Sequence, residues 1–146
     1  AMGAKIVLLK MGAKGLYLRT APQASLRDTG RAAPPPGEWG SRELWQFPAN
    51  VERIVSATGA GDVAIAGFLA SLLSGGTPEK ALQAATIAAS ICLRSADTSG
   101  KLLPLEEMLN AEAAAGAGYL EFELPKDCWP YPAQDGLCRS GRDSTQ

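Results

Sequence analysis

A glycine-rich turn between an apolar segment and an alanine-rich segment is the feature that most constrains the fold. The apolar segment ends at Val55, and Ser-Ala-Thr-Gly-Ala-Gly then leads to Asp62. Downstream residues show helical periodicity, so we predict a helix from about Ala60 to Leu73. A strand that passes through such a turn into a helix leaves free backbone N–H groups at the positive end of the helix dipole. This end binds phosphate readily, so the turn is a candidate site.

Asp62, in the first turn of this helix, admits two interpretations. An acidic residue at this position stabilises the helix dipole by about 0.3–1 kcal/mol, so it could be purely structural. Alternatively, its carboxylate could accept the proton of an attacking hydroxyl group beside a transferred phosphoryl group. The local pattern does not distinguish these interpretations. Because the chain contains no histidine, any acid–base step would use Asp, Glu, Lys, Tyr or Cys.

The strand signals fit an α/β domain. The apolar run at residues 5–10 is typical of a strand buried on both faces, as in a parallel sheet. Residues 15–19 should form a hairpin with it, because Gly12 and Gly15 supply backbone freedom at the turn. Further short strands are predicted over three segments: 44–47, 51–55 and 119–124.

The remaining segments are predicted as helices, a loop and a tail. Thr77 and Pro78 are typical of a helix start, so a second helix should run to about Arg94. A third should run from about Pro104 to residue 115. Residues 20–43 are rich in Pro and Gly and predict a long, partly disordered surface loop. The domain would therefore span residues 4–124 with a loop insertion at 20–43, followed by a loosely ordered tail at 125–146.

Composition and charge exclude several function classes. The 146 residues carry a net charge of −1, which predicts neither a nucleic-acid groove nor an anionic membrane surface as a partner. No apolar run approaches the ~20 residues of a membrane span, and the start has no signal-peptide pattern. A cytoplasmic protein is therefore the default expectation. The three cysteines are few and odd in number, so they do not indicate a disulfide framework.

Two segments carry a resemblance to a known family. Residues 56–69, Ser-Ala-Thr-Gly-Ala-Gly-Asp-Val-Ala-Ile-Ala-Gly-Phe-Leu, resemble the second signature of PfkB/ribokinase-family carbohydrate kinases, an Asp-Thr-x-Gly-Ala-Gly-Asp motif followed by a helix. Residues 10–15, Lys-Met-Gly-Ala-Lys-Gly, resemble the family's Leu-Gly-x-x-Gly hairpin. The resemblance covers about residues 4–115. It implies a partial ribokinase-like αβα sandwich, which is Rossmann-like, with only the C-terminal half present.

The resemblance also implies an activity and a site. It implies ATP-dependent transfer of the γ-phosphate to a hydroxyl of a sugar or nucleoside, with Asp62 as the catalytic base. Gly59, Ala60 and Gly61 would form the anion hole for the transferred phosphate. Six residues would border the nucleotide: Lys10, Gly12, Gly15, Ala85, Ala88 and Gly100. The family uses ATP with Mg²⁺, and many members need K⁺, but Ser56 stands where Asp or Asn is usual, which weighs against K⁺ here.

Length leaves two main interpretations of the function. Family members are about twice as long, and their N-terminal half carries most of the sugar-binding residues, so the acceptor is not defined by this chain. The chain would be a catalytic half, or a non-catalytic ribokinase-like remnant that acts as an interaction or oligomerisation module. An open sheet edge would favour association with a missing N-terminal half or formation of a homo-oligomer. The intact segment from Gly59 to Asp62 favours the first interpretation, and the departures at Ser56 and Ala57 favour the second.

A third interpretation is a different enzyme with a phosphate-binding helix end, such as a phosphatase. Such enzymes usually rely on histidine or on clustered carboxylates, and the sequence has no histidine and no such cluster. This interpretation is therefore disfavoured.

Overall fold

The computed structural model describes residues 3–96, 103–115 and 118–144, with only the backbone described at 111–115. The chain forms a mixed α/β fold, with an antiparallel sheet and helices. The strands and helices, in chain order, are β1 (Ile6–Lys10), β2 (Leu16–Thr20), α1 (Gln23–Leu26), β3 (Glu43–Gln46), α2 (Ala60–Leu73), α3 (Pro78–Leu93), α4 (Leu105–Ala115) and β4 (Leu137–Arg139). Two short 3-10 turns lie at Gly12–Lys14 and Arg27–Ala32.

The sheet has the strand order β1-β2-β3-β4, and all three pairings are antiparallel. The predicted hairpin of β1 and β2 is confirmed, with Leu8 opposite Leu18. The prediction that β1 is buried on both faces in a parallel sheet is wrong for the described residues. β1 is an edge strand antiparallel to β2, and Leu9 is 49% exposed. An apolar run signals a strand that is suited to burial, but it does not specify which neighbours cover it.

The helices that follow the glycine-rich turn agree closely with the sequence prediction. α2 begins at Ala60 and ends at Leu73. α3 begins at Pro78, where the Thr77 hydroxyl accepts a hydrogen bond from the Lys80 backbone N–H at 3.2 Å. α2 and α3 pack closely because Gly67 has no side chain; a Cβ there would lie 2.7 Å from the Ala84 carbonyl oxygen.

The core lies between these helices and one face of the sheet. The inward side chains of β2 and β3 pack against α2 and α3. Its largest apolar members are Leu16, Leu18, Leu26, Trp39, Leu44, Phe68, Leu72, Leu82 and Leu137. None of the helices in the described part of the chain is long and apolar enough to cross a membrane.

Residues 20–43 differ from the expected surface loop. They contain α1 and the second 3-10 turn, and both Leu26 and Trp39 are fully buried. The Trp39 ring packs edge-on against Phe68 at 5.9 Å, and its indole N–H donates a hydrogen bond to the Gly76 carbonyl at 3.0 Å. Burial of these two large side chains outweighs the tendency of a Pro- and Gly-rich segment to remain loose.

Residues 125–144, expected to be a loosely ordered tail, contain β4, which pairs with β3. The Asp143 carboxylate accepts a hydrogen bond from Arg42 Nε at 2.8 Å, and both side chains are almost completely buried. This part of the chain therefore belongs to the fold.

Two of the predicted short strands do not form. Residues 51–55 and 119–124 lack strand structure, apart from an isolated bridge between Ala49 and Tyr119. The predicted strand at 44–47 is confirmed as β3.

Candidate functional site

The glycine-rich turn forms the N-terminal end of α2. Gly59 precedes the helix with a φ of 81°, a left-handed conformation that glycine adopts without steric cost. The carbonyl of Gly59 accepts hydrogen bonds from the N–H groups of Asp62 and Val63, at 3.0 and 2.9 Å. Among the described residues, the N–H groups of Gly59 and Gly61 find no acceptor. The turn therefore offers two free N–H donors at the positive end of a helix dipole.

The end of α3 holds this turn in place. The N–H of Val55 donates a hydrogen bond to the Leu93 carbonyl at 2.8 Å. The Cys92 thiol lies 3.5 Å from the Thr58 carbonyl oxygen, within hydrogen-bond range for sulfur. These contacts fix the turn relative to both helices, so its free N–H groups have a defined position.

Asp62 and Lys10 meet at the mouth of this turn. Lys10 ends β1, and its Nζ lies 3.8 Å from Asp62 Oδ1. The Asp62 side chain is 90% exposed and that of Lys10 is 37% exposed. A Cβ added at Gly61 would lie 2.9 Å from Lys10 Nζ, so the lysine side chain crosses directly over Gly61. The carboxylate is accessible to a ligand and has a cation beside it.

The two hairpin glycines have different roles. Gly15 has a φ of 82°, and a Cβ there would lie 2.1 Å from the Gln46 carbonyl oxygen, so only glycine fits between β2 and β3. Gly12 has a φ of 56° and open space around it. Gly15 is therefore required for the fold, and Gly12 leaves its backbone accessible.

A cleft of about 110 Å³ lies next to this hairpin. It brings together Lys10, Gly12 and Gly15, three of the residues predicted to border a nucleotide. Its opposite wall is formed by α3, and its floor is largely apolar. The remaining lining residues are Leu16, Pro48, Ala49, Val51, Ala64, Thr86, Ala89, Ser90 and Leu93.

The other predicted nucleotide-bordering residues do not line this cleft. Ala85 is fully buried in the core and Ala88 is 2% exposed. Ala88 faces Gly67, whose added Cβ would lie 3.1 Å from the Ala88 methyl group, so it packs between α2 and α3. Gly100 lies outside the described residues.

Thr86 is a cleft residue that the sequence prediction missed. It is 5% exposed, and its hydroxyl is a buried polar side-chain group with no hydrogen-bond partner among the described residues. Such unpaired groups are rare, because an unsatisfied buried hydroxyl costs free energy. In the sequence, Thr86 is a single threonine in an alanine-rich helix. Because alanines occupy every face of α3, the sequence did not indicate which face lines the cleft.

Comparison with known proteins identifies the family. Residues 1–104 match the model of the pfkB family carbohydrate kinase. This chain belongs to that family. The pfkB assignment rests on more than two thirds of the chain, including the hairpin, the glycine-rich turn, α2 and α3. No curated protein matches the chain significantly.

A solved structure supports the same fold. A "putative sugar kinase" from Clostridium perfringens superposes with a TM-score of 0.55 over 77% of this chain, at 17% sequence identity. The aligned part covers 29% of that protein. The chain therefore spans under a third of the length of the sugar kinase that it resembles.

Proposed function

We propose that this chain supplies the catalytic base and the phosphate-binding turn of a cytoplasmic, ATP-dependent kinase that phosphorylates a hydroxyl of a sugar or nucleoside. The observation that supports this most directly is the position of Asp62. Its exposed carboxylate lies in the first helical turn, next to the free N–H groups of Gly59 and Gly61, with Lys10 at 3.8 Å. A carboxylate beside an anion site repels the anion, so this arrangement favours proton transfer over simple phosphate binding.

The proposed reaction assigns a role to each of these groups. The acceptor hydroxyl oxygen bonds to the γ-phosphorus, while the bond from that phosphorus to the bridging oxygen breaks and ADP leaves. The hydroxyl proton passes to Asp62. The N–H groups of Gly59 and Gly61 stabilise the charge on the transferred phosphoryl oxygens. The Ala60 N–H, which was also predicted for the anion hole, instead donates a hydrogen bond to the Ala57 carbonyl at 3.4 Å. Catalysis would thus come from positioning and electrostatics.

Magnesium would enter with the nucleotide. No group of three or more His, Cys, Asp or Glu side chains in the described residues could hold a metal ion. Mg²⁺ typically keeps several waters and binds through one or two carboxylates plus substrate phosphates, which is compatible with this site. When bound, it would neutralise phosphate charge. We propose no role for K⁺, because Ser56 stands where members of the family usually have Asp or Asn.

We propose that the cleft next to the hairpin holds part of the nucleotide. Lys10 contributes a positive charge to its lining, and Pro48, Ala49 and Leu93 contribute apolar surface. Its volume of about 110 Å³ is well below the roughly 300–1,000 Å³ of typical small-molecule sites. We therefore propose that a further part of the fold completes the nucleotide site and provides the acceptor site.

The free edge of β1 is the proposed attachment point for that part. The Ala21 N–H bonds to the Lys5 carbonyl and the Met11 N–H to the Gly15 carbonyl. Because bonded residues alternate along an antiparallel pair, the backbone groups of Ile6, Leu8 and Lys10 point away from β2. No other strand in the described residues pairs with them. They are therefore available to a further strand.

An apolar stripe on α2 is also exposed. The stripe consists of Ile65, Leu69 and Leu73, at i, i+4 and i+8, which are 38%, 44% and 67% exposed. By helical geometry it lies on the side of α2 away from Gly67 and α3. A strand on β1 followed by a helix on this stripe would bury both surfaces. We propose the N-terminal part of a pfkB fold as the occupant.

Calorimetric titration of the 146-residue chain with MgATP tests the phosphate site. We expect a Kd between micromolar and millimolar. Gly61→Val should abolish binding, because its side chain would occupy the space next to Lys10 Nζ, whereas α2 should remain folded by circular dichroism. Absence of binding by the folded wild-type chain would contradict a phosphate site formed by this chain alone.

Asp62→Asn tests the base. In a kinase assay of the protein together with the rest of its fold, the substitution should lower kcat by about 10²–10⁴-fold, the usual contribution of a general base. An unchanged kcat would contradict the assignment.

The free edge of β1 and the apolar stripe on α2 also support a second candidate function, an interaction or oligomerisation module. If the open edge of β1 pairs with a second copy, the chain should form a dimer in light scattering. Leu69→Glu should then return it to a monomer without a loss of helix content. A monomeric wild-type chain that binds MgATP would exclude this alternative.

A further inference from the structure

Lys10 has an unusual position for a lysine at the end of a strand. Its side chain is 37% exposed but crosses Gly61, with Cδ, Cε and Nζ at 3.5, 3.4 and 2.9 Å from the position of a Cβ at that residue. Its Nζ then lies 3.8 Å from Asp62 Oδ1, too far for a hydrogen bond. The ammonium group therefore stands beside Gly61 in the glycine-rich turn, with an exposed and weakly held partner.

The opposite wall of the same cleft carries an independent sign of a ligand. The Thr86 hydroxyl is buried, and the described residues offer it no hydrogen-bond partner. Lys10 and Thr86 both line the cleft, whose other walls are largely apolar. A ligand with a polar group for Thr86 and negative charge near Lys10 would satisfy both.

We infer that Lys10 is a positioning residue that exchanges its partner during the reaction, from the Asp62 carboxylate in the free protein to the phosphates of the bound nucleotide. This inference rests on the proposed function. Lysine binds phosphate as a mobile point charge with three donors. An ion pair between exposed side chains is weak, so a polyphosphate can displace Asp62 from Lys10.

The exchange would serve the proposed chemistry in two ways. In the free protein, Lys10 partly neutralises the Asp62 carboxylate. The paired carboxylate therefore repels the phosphates of an arriving nucleotide less than an unpaired carboxylate would. Once Lys10 has moved to the phosphates, Asp62 is left without a cation and is free to accept the hydroxyl proton. Nucleotide binding and release of Asp62 from Lys10 are then coupled, and the coupling must be reciprocal.

Titration with magnesium-free tripolyphosphate and with MgATP, both followed by calorimetry, tests this exchange without requiring activity. Lys10→Met should weaken binding of both ligands by about tenfold or more, as expected for loss of a charged contact. Asp62→Asn should tighten binding by roughly two- to fivefold, because Lys10 then has no competing partner. In the Lys10→Met background, Asp62→Asn should tighten binding clearly less than it does in the wild type.

Two further variants separate a specific contact from general charge and from structure. Lys14→Met removes an exposed charge from the same hairpin turn and should leave both affinities unchanged. Lys10→Arg should restore part of the affinity. Equal affinities of the wild type and Lys10→Met, or equal effects of Lys10→Met and Lys14→Met, would overturn the role of Lys10 while leaving the proposed function intact. A folded wild-type chain that binds neither ligand would overturn both the role of Lys10 and a phosphate site formed by this chain alone.

Discussion

Arg42 is buried between carboxylates, and its replacement is the most demanding test of the packing. It is 2% exposed. Its Nε donates to Asp143 at 2.8 Å, and its Nη1 donates to the Glu38 carbonyl at 2.8 Å. Its Nη2 donates to Glu79 at the start of α3. Arg42→Met retains most of the side-chain length but removes all three donors, leaving two carboxylates without their main cation.

The size of the effect follows from what remains. Breaking a buried ion pair by removing one partner typically costs about 3–5 kcal/mol. Asp143 keeps a hydrogen bond from the Glu43 N–H at 2.9 Å, and Arg139 lies within 4.0 Å of it. We therefore expect the lower end, about 3 kcal/mol, which for a domain of this size lowers Tm by about 6–12 °C. The double variant Arg42→Met with Asp143→Leu should lose less unfolding free energy than Arg42→Met alone, because no carboxylate is then buried at position 143.

Urea denaturation at neutral pH, followed by tryptophan fluorescence, gives the free energy of unfolding. Arg19→Met is the matched control, since Arg19 also pairs with a carboxylate, that of Glu43 at 2.7 Å, but is 46% exposed. An exposed pair contributes about 0–1 kcal/mol. A loss below about 1 kcal/mol for Arg42→Met, or equal losses for the two variants, would refute the conclusion that the chain up to Asp143 is integral to the fold.

Two further predictions concern stability. Gly67→Ala should destabilise the protein by about 1–3 kcal/mol in urea titrations, because the added Cβ would lie 2.7 Å from the Ala84 carbonyl oxygen; an unchanged midpoint would contradict the close helix contact. Burial acts to raise the pKa of the Glu43 and Glu79 carboxyls, but hydrogen bonds from their neighbours outweigh it and hold both pKa values below the ordinary 4.5. The folded state then binds fewer protons than the unfolded state, so this stabilisation is complete above about pH 4.5 and is lost as the pH falls through the folded values. The lowest pH, about 3, lies below the pKa of a glutamate in the unfolded chain, so urea midpoints that stay constant from about pH 6 to this value would contradict the predicted loss of stability.

The parts of the fold that the sequence predicted are those set by local interactions. The bounds of α2 follow from Gly59, which has a left-handed conformation, and from the helical periodicity up to Leu73. The start of α3 follows from the cap formed by Thr77, which needs only residues within one turn. The hairpin of β1 and β2 likewise depends on a short turn with glycines. In each case the decisive contacts join residues close together in the sequence.

The parts that it could not predict depend on contacts between distant residues. Arg42 and Asp143 are 101 positions apart, and neither residue alone indicates a buried pair. Trp39 is buried because α2 supplies Phe68 as a neighbour, which the Pro- and Gly-rich composition of its own segment does not reveal. For the cleft, alanines on several faces of α3 gave no periodicity that would distinguish Ala85 in the core from Thr86 on the cleft wall.

The same distinction explains why the proposed base is evident in a chain that covers so little of a kinase. A phosphate-binding helix end requires only free N–H groups, and a base beside it requires only a nearby carboxylate; the segment from Gly59 to Asp62 supplies both locally. An acceptor site requires side chains from several elements. Lys10 is the last residue of β1, so a strand added at the free edge would run beside the same residue that contacts Asp62. One added strand would thus bury the open edge and bring new side chains close to Lys10 and the proposed base, so attachment of the remaining fold and completion of the site should be coupled.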